Sequence, residues 1–198
     1  MGTGRLEAFS DGVIAIILTI MVLEMKVPHG HSLASLLPLF PVFISYVLSF
    51  VTVAIYWNNH HHIMHASEQV NGSVMWANIH LLFWMSLFPF FSGWMGENHF
   101  ATLPVAMYGV VSFMAGVAYY ILARRLVLLH GKRSTLTSAL GRDRKGLISV
   151  GIYAVGIGLS FVHPWLGFAM YFVVAIMWFI PDKRIEEKLV QEPDKKEN

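Results

Sequence analysis

The sequence predicts an all-α, polytopic membrane protein with six transmembrane helices, and three observations carry that prediction. Apolar residues make up 56% of the 198-residue chain, mean hydropathy is +0.57, and only 13% of residues are charged. The charges are also segregated. No Asp, Glu, Lys or Arg occurs from Val27 to Ser67, from Gln69 to Gly96, from Asn98 to Ala123, or from Gly146 to Pro181. A water-soluble domain of this length needs charge on the outer face of every helix, so these gaps exclude one. Finally, no segment alternates apolar and polar residues with the period of an outer-membrane barrel strand. Helices remain. Cysteine is absent, which rules out a disulfide framework and a thiolate metal site.

The spans are predicted at Ala8–Met25, Leu36–Trp57, Val74–Met95 and Ala101–Ala123, followed by an apolar block from Leu147 to Pro181. That block exceeds one ordinary helix and contains His163-Pro164 near its middle, where the residue before proline is biased away from helix. Splitting it gives spans over 147–162 and 165–180, each near the short end of the roughly 17–25 residues needed to cross. Residues 1–181 thus form one membrane domain and 182–198 a charged tail, with no internal duplication.

Lys and Arg set the orientation. An even number of spans gathers Arg5, the cluster from Arg124 to Lys145 and the C-terminal lysines and arginines on one side; Lys26 is the exception among the 14 basic residues. The positive-inside rule makes that side cytoplasmic and places both termini there. The basic segment Leu126–Lys145 is expected to be drawn to anionic headgroups. The first span carries one Arg before it, Glu24 and Lys26 after it and no small-residue cleavage motif, so it reads as a retained helix rather than a signal peptide.

Three groups of residues are candidates for function. Ser10 and Asp11 stand near the start of the first span, where a carboxylate entering an apolar helix is a functional suspect. They either cap the helix start or join a buried network with donors on the second and third spans, Asn58, Asn59, Trp76, Asn78 and His80. Ile16, Thr19, Ile20 and Leu23 share one face further along. This stripe faces a pore or lipid. The third group is His60-His61-His62 with His65, at the end of the second span. His61 and His65, four residues apart, share a helical face and can bind a metal or merely finish an interfacial helix. No nucleophile elbow, phosphate-cradling glycine loop or zincin motif is present, and nothing points to nucleic acid.

The segment RLEAFSDGVIAIILTIMVLEMKVP from Arg5 resembles the first helix of the transmembrane protein 175 family of potassium channels, whose Arg-x-x-x-Phe-Ser-Asp element matches Arg5, Phe9, Ser10 and Asp11. Trp57 with His60-His61, and the run Asn78, Leu81-Leu82-Phe83, Ser86-Leu87 and Pro89-Phe90, are similar as well; beyond about residue 95 only hydropathy matches. The resemblance implies a tetrameric cation channel of the bacterial single-repeat type, resident in the plasma membrane. No cofactor is implied, only permeant potassium and other monovalent cations. Its first helices would surround the pore, with Ile16, Thr19 and Leu23, and Ile20 beside them, as the constriction. The sequence lacks a TVGYG filter, since Tyr108-Gly109 has no Thr-Val before it. Arg5, Ser10 and Asp11 with Asn78 or His80 are expected to hold the pore helix in register, and Glu24 to attract cations at the outer mouth. Two other classes stay open: a histidine-dependent membrane metalloenzyme, and a secondary transporter, which calls for broken helices in matching positions of two repeats.

Overall fold

A computed structural model of the chain describes residues 2–131 and 144–179. Within these residues the chain is helical and contains no strand. The order is α1 (Gly4–Leu23), a short 3-10 helix (Leu33–Leu39), α2 (Phe40–His65), α3 (Gly72–Ser86), α4 (Phe88–Glu97), α5 (Thr102–His130), α6 (Arg144–Ser160) and α7 (Pro164–Phe179). Four stretches are long and apolar enough to cross a bilayer: Gly4–Leu23, Leu33–His65, Gly72–Glu97 and Thr102–His130. The helices Lys145–Ser160 and Pro164–Phe179 are shorter apolar elements. The chain is a multi-pass α-helical membrane protein.

Helix boundaries differ from the sequence expectation where local chemistry decides them. Where a single span is expected over 74–95, α3 stops at Ser86 and α4 starts at Phe88. Pro89 is the cause: it sits in the first turn of α4, where a missing N–H costs nothing, and it cannot donate to the turn before it. The result is a kink at Leu87, not an unwound stretch, because Phe91 N still donates to Leu87 O. α2 continues past Trp57 to His65, so the histidines form its last two turns. The tail from residue 182, and most of the basic segment before Arg144, lie outside the described residues.

Close approaches fix the packing. A Cβ on Gly96 would fall 2.6 Å from Val42 Cα, so α4 crosses α2 backbone to backbone. In the α6–α7 hairpin a Cβ on Gly167 would lie 2.7 Å from Gly156 O. Such small-residue contacts are how helices associate where lipid offers no hydrophobic drive. The α4–α5 turn takes His99 and Phe100 through positive φ (50° and 58°) and sets the Phe100 ring between Trp165 and Phe168, with centroids 4.7 and 4.6 Å away.

α2 is polar on two opposite faces. Ser45, Ser49, Thr52, Tyr56 and Asn59 recur at three and four residues and run down the side packed on α4, α5 and α7. There the Ser49 hydroxyl lies 2.9 Å from Ser92 Oγ and 3.2 Å from the Tyr108 hydroxyl, tying α2 to α4 and α5. By helical angle the opposite face presents Trp57 and His61, and it meets α1.

Candidate functional site: the first helix and its anchors

α1 buries Leu6, Ser10, Ile14, Ile17 and Met21 against α2, α3 and α4. These positions follow the 3.6-residue repeat, so a second face is left uncovered by the subunit. That face carries Phe9, Ile16, Thr19, Ile20 and Leu23; Ile16 is 58% and Leu23 79% exposed. The Thr19 hydroxyl donates its proton within the helix, to Ile16 O at 2.9 Å or Ala15 O at 3.1 Å, and so presents an oxygen outward as an acceptor. Ile16, Ile20 and Glu24 also form one wall of a groove of about 580 Å³, whose other wall is Pro89, Phe90, Trp94 and Glu97 beside the α3–α4 kink. Beyond the C-terminal end of α1, Lys26 pairs with Glu97 at 3.1 Å.

The polar residues of α1 are held by two separate sets of partners. Asn78 Nδ2 donates to Ser10 Oγ at 2.9 Å, and Ser10 Oγ donates to Leu6 O at 2.8 Å. Asn78 Oδ1 lies 2.7 Å from His60 Nε2. The amide oxygen can only accept, so His60 carries its proton on Nε2 and three helices are joined through one directed chain. All three side chains are buried. His60 Nδ1 is the one fully enclosed side-chain nitrogen or oxygen without a partner among the described residues. The second set is a ladder: Trp57 Nε1 donates to Asp11 Oδ1 at 2.9 Å, and Glu7 Oε1 lies 3.1 Å from His61 Nδ1. Each pair of rungs is one turn apart on both helices.

The expected network is therefore divided, and the helical angle says why. Ser10 reaches Asn78, but Asp11, about 100° further round the helix, faces α2 instead of α3. His80, about 200° from Asn78 on α3, points away from α1 and accepts from Trp84 Nε1 at 3.0 Å. Arg5 and Phe9 are exposed, and Arg5 makes no hydrogen bond or ion pair among the described residues. Asn59 donates to Ile55 O of its own helix and takes no part. Sequence reasoning did not assign partners to Glu7 or Trp57; the matching four-residue spacings Glu7/Asp11 and Trp57/His61 were the available signal.

The histidine cluster is a stack. His61 lies parallel to Trp57 at 6.1 Å and to His65 at 6.0 Å between centroids. Among the described residues no three His, Cys, Asp or Glu side chains converge on a point where a metal ion would sit.

The chain is thus an α-helical multi-pass membrane protein whose first helix is anchored by polar side chains on one side and bare and apolar on the other. Comparison with known proteins agrees. Residues 5–89 match the family model for the endosomal/lysosomal potassium channel TMEM175. A potassium channel of Chryseobacterium sp. (strain P1-3) is 52% identical over 189 residues, covering 96% of this chain and 98% of that protein. A potassium channel of Chamaesiphon minutus is 31% identical, covering 88% and 92% respectively. The crystal structure of a lysosomal potassium-selective channel TMEM175 homolog from Chamaesiphon minutus superposes with a TM-score of 0.78 at 28% identity, over 89% of this chain and 96% of that one. The chain belongs to the TMEM175 family.

Proposed function

We propose that the chain forms a potassium-permeable cation channel, a homotetramer in the bacterial plasma membrane with both termini cytoplasmic, whose central pore is lined by α1. The observation that carries this reading is the uncovered face of α1. Ile16, Thr19 and Leu23 are left bare by their own subunit, while the opposite face of the same helix is fastened by hydrogen bonds to α2 and α3. The relatives that match over nearly their whole length carry the name potassium channel, which supports the choice of ion.

In such a pore, rings of Ile16 and Leu23 exclude water when closed and act as a gate by dewetting. Thr19 sits between them. Its proton is committed to the helix, so its oxygen is free to face a partly dehydrated cation. Opening requires the α1 helices to separate or rotate, and the groove of about 580 Å³ beside Ile16 and Ile20 offers room for that movement. Glu24, exposed at the end of α1, raises cation concentration at the outer entrance. The Ser10–Asn78–His60 chain and the Asp11–Trp57 rung hold the helix in register.

Potassium, sodium and chloride flux through the purified protein in liposomes tests the reading. Wild type is expected to pass potassium in preference to chloride. Ile16→Asn and Leu23→Asn are expected to raise leak and reduce selectivity. Unchanged conductance and selectivity in both variants would place the pore elsewhere.

A further inference from the structure

α5 carries a second surface that its own subunit leaves open. Leu103, Val110, Val117, Ile121, Arg124 and Leu128 fall within about 60° of one another round this helix. All are at least partly exposed, Leu103 at 54% and Leu128 at 67%. The apolar stretch from Leu103 to Ile121 rises about 27 Å, close to the roughly 30 Å of a bilayer's hydrocarbon core. Arg124 follows on the same stripe with Arg125 beside it, about 5–6 Å further along the axis, at headgroup level. Trp178 lines the same small cavity as Tyr119, more than a turn before Arg124, where a tryptophan of the interfacial belt belongs.

Both guanidinium groups are exposed, and among the described residues neither makes a hydrogen bond or an ion pair. Glu68 reaches this end of α5 through its backbone N–H, which donates to His130 Nε2 at 3.1 Å. His130, however, lies about 120–140° round the helix from either arginine. Residues 132–143 hold Lys132, Arg133 and Arg142 against the single carboxylate of Asp143, so that segment adds to the positive charge of the pair.

We propose that Arg124 and Arg125 bind the phosphodiester of an anionic phospholipid whose acyl chain lies along the stripe from Leu103 to Ile121. A guanidinium presents a planar fork of N–H donors that matches phosphate oxygens in pairs, and two on adjacent positions can hold one phosphate from two directions. In a zwitterionic lipid the headgroup ammonium returns positive charge to the same place; a glycerol headgroup leaves the phosphate as the net charge. A lipid is the occupant rather than a free phosphate, because the apolar stripe runs directly into the arginines and one molecule covers both. In the orientation proposed above the site faces the cytoplasmic leaflet. It includes no residue of α1, so it stands or falls apart from the channel reading.

The test is thermal unfolding of the purified full-length protein in detergent, titrated with dioleoylphosphatidylglycerol, dioleoylphosphatidylcholine or inorganic phosphate. Phosphatidylglycerol is expected to raise the melting temperature saturably, and the other two to have little effect. Arg124→Gln and Arg125→Gln are each expected to weaken the phosphatidylglycerol response about fivefold, and the double variant about twentyfold. Both side chains are exposed, so the double variant is expected to melt with wild type in phosphatidylcholine, which checks its fold. Lys132→Gln with Arg133→Gln, in the segment that follows, is expected to shift the response less than the arginine pair does. An equal response to phosphatidylcholine would overturn the proposal, and an equal response to inorganic phosphate would do so by making this a site for a free anion. A response unaltered in the double arginine variant, or lost in the Lys132 and Arg133 variant instead, would overturn it by moving the contact to the basic segment. The absence of a saturable response in wild type would overturn it as well.

Discussion

Trp57 donates its indole N–H to Asp11 Oδ1 across 2.9 Å, joining α2 to α1 at a point where both side chains are partly open. Both this bond and the Glu7–His61 rung one turn away are open to solvent, which limits each to about 0.5–1 kcal/mol. Asp11→Ala and Trp57→Phe are each expected to lower stability by about that amount, and the double variant by little more than either alone. Unfolding of the four proteins measures the coupling. An Asp11→Ala protein of wild-type stability and conductance would make Asp11 a plain helix-end residue.

Asn78 is the centre of the buried chain, so its removal leaves Ser10 and His60 both short of a partner. Asn78→Ala is expected to cost roughly 2–4 kcal/mol, within the range for stranding buried polar groups. His80→Ala, two residues away, breaks only a partly buried contact to Trp84 within its own helix and is expected to cost less than about 1 kcal/mol. Comparable losses in the two variants would show that α3 does not turn Asn78 toward α1 and His80 away from it.

The contrast between Asn78 and His80 also marks how far the sequence could be read. Charge-free stretches and basic clusters establish helices in a bilayer, since they follow from desolvation alone. The uncovered face of α1 was legible as a stripe for the same reason, as periodicity does not depend on neighbours. Which polar side chain meets which does depend on them. One residue of rotation separates Ser10, which reaches α3, from Asp11, which reaches α2. The kink at Leu87 was within reach of the sequence, because Pro89 was visible inside the third apolar run. The apolar pattern continues unbroken across it, however, and hydropathy alone reads one helix.

Glycines offer a direct test of the packing. Gly96→Ala places a methyl 2.6 Å from the Val42 Cα, a backbone atom that cannot turn aside. Forcing α4 from α2 is expected to cost about 1–3 kcal/mol. Gly12→Ala, with nothing within 4 Å of the new methyl, is expected to leave stability unchanged or to raise it by roughly 0.5–1 kcal/mol through helix propensity. Melting temperatures of the two variants should move in opposite directions.

The orientation assigned to the chain is checked by labelling introduced cysteines, since the natural chain has none. Ser138→Cys in the basic segment and His99→Cys in the α4–α5 turn are expected to react from opposite sides of the membrane, Ser138→Cys from the cytoplasm. Labelling from the same side would refute the single crossing between them, and with it the arrangement that the charge distribution requires.

The bare face of α1 bears on how such a protein is made. Ile16, Ile20 and Leu23 dissolve in hydrocarbon as readily as in a protein interface, and the Thr19 hydroxyl has already spent its proton on its own helix. A newly inserted subunit can therefore rest alone in the bilayer without stranding a polar group on this face. Water exclusion gives it no reason to associate, because lipid tails are as apolar as the residues they would leave. Assembly of the proposed tetramer would then depend on shape and close packing, and a subunit waiting for partners would be a durable species rather than a target for degradation.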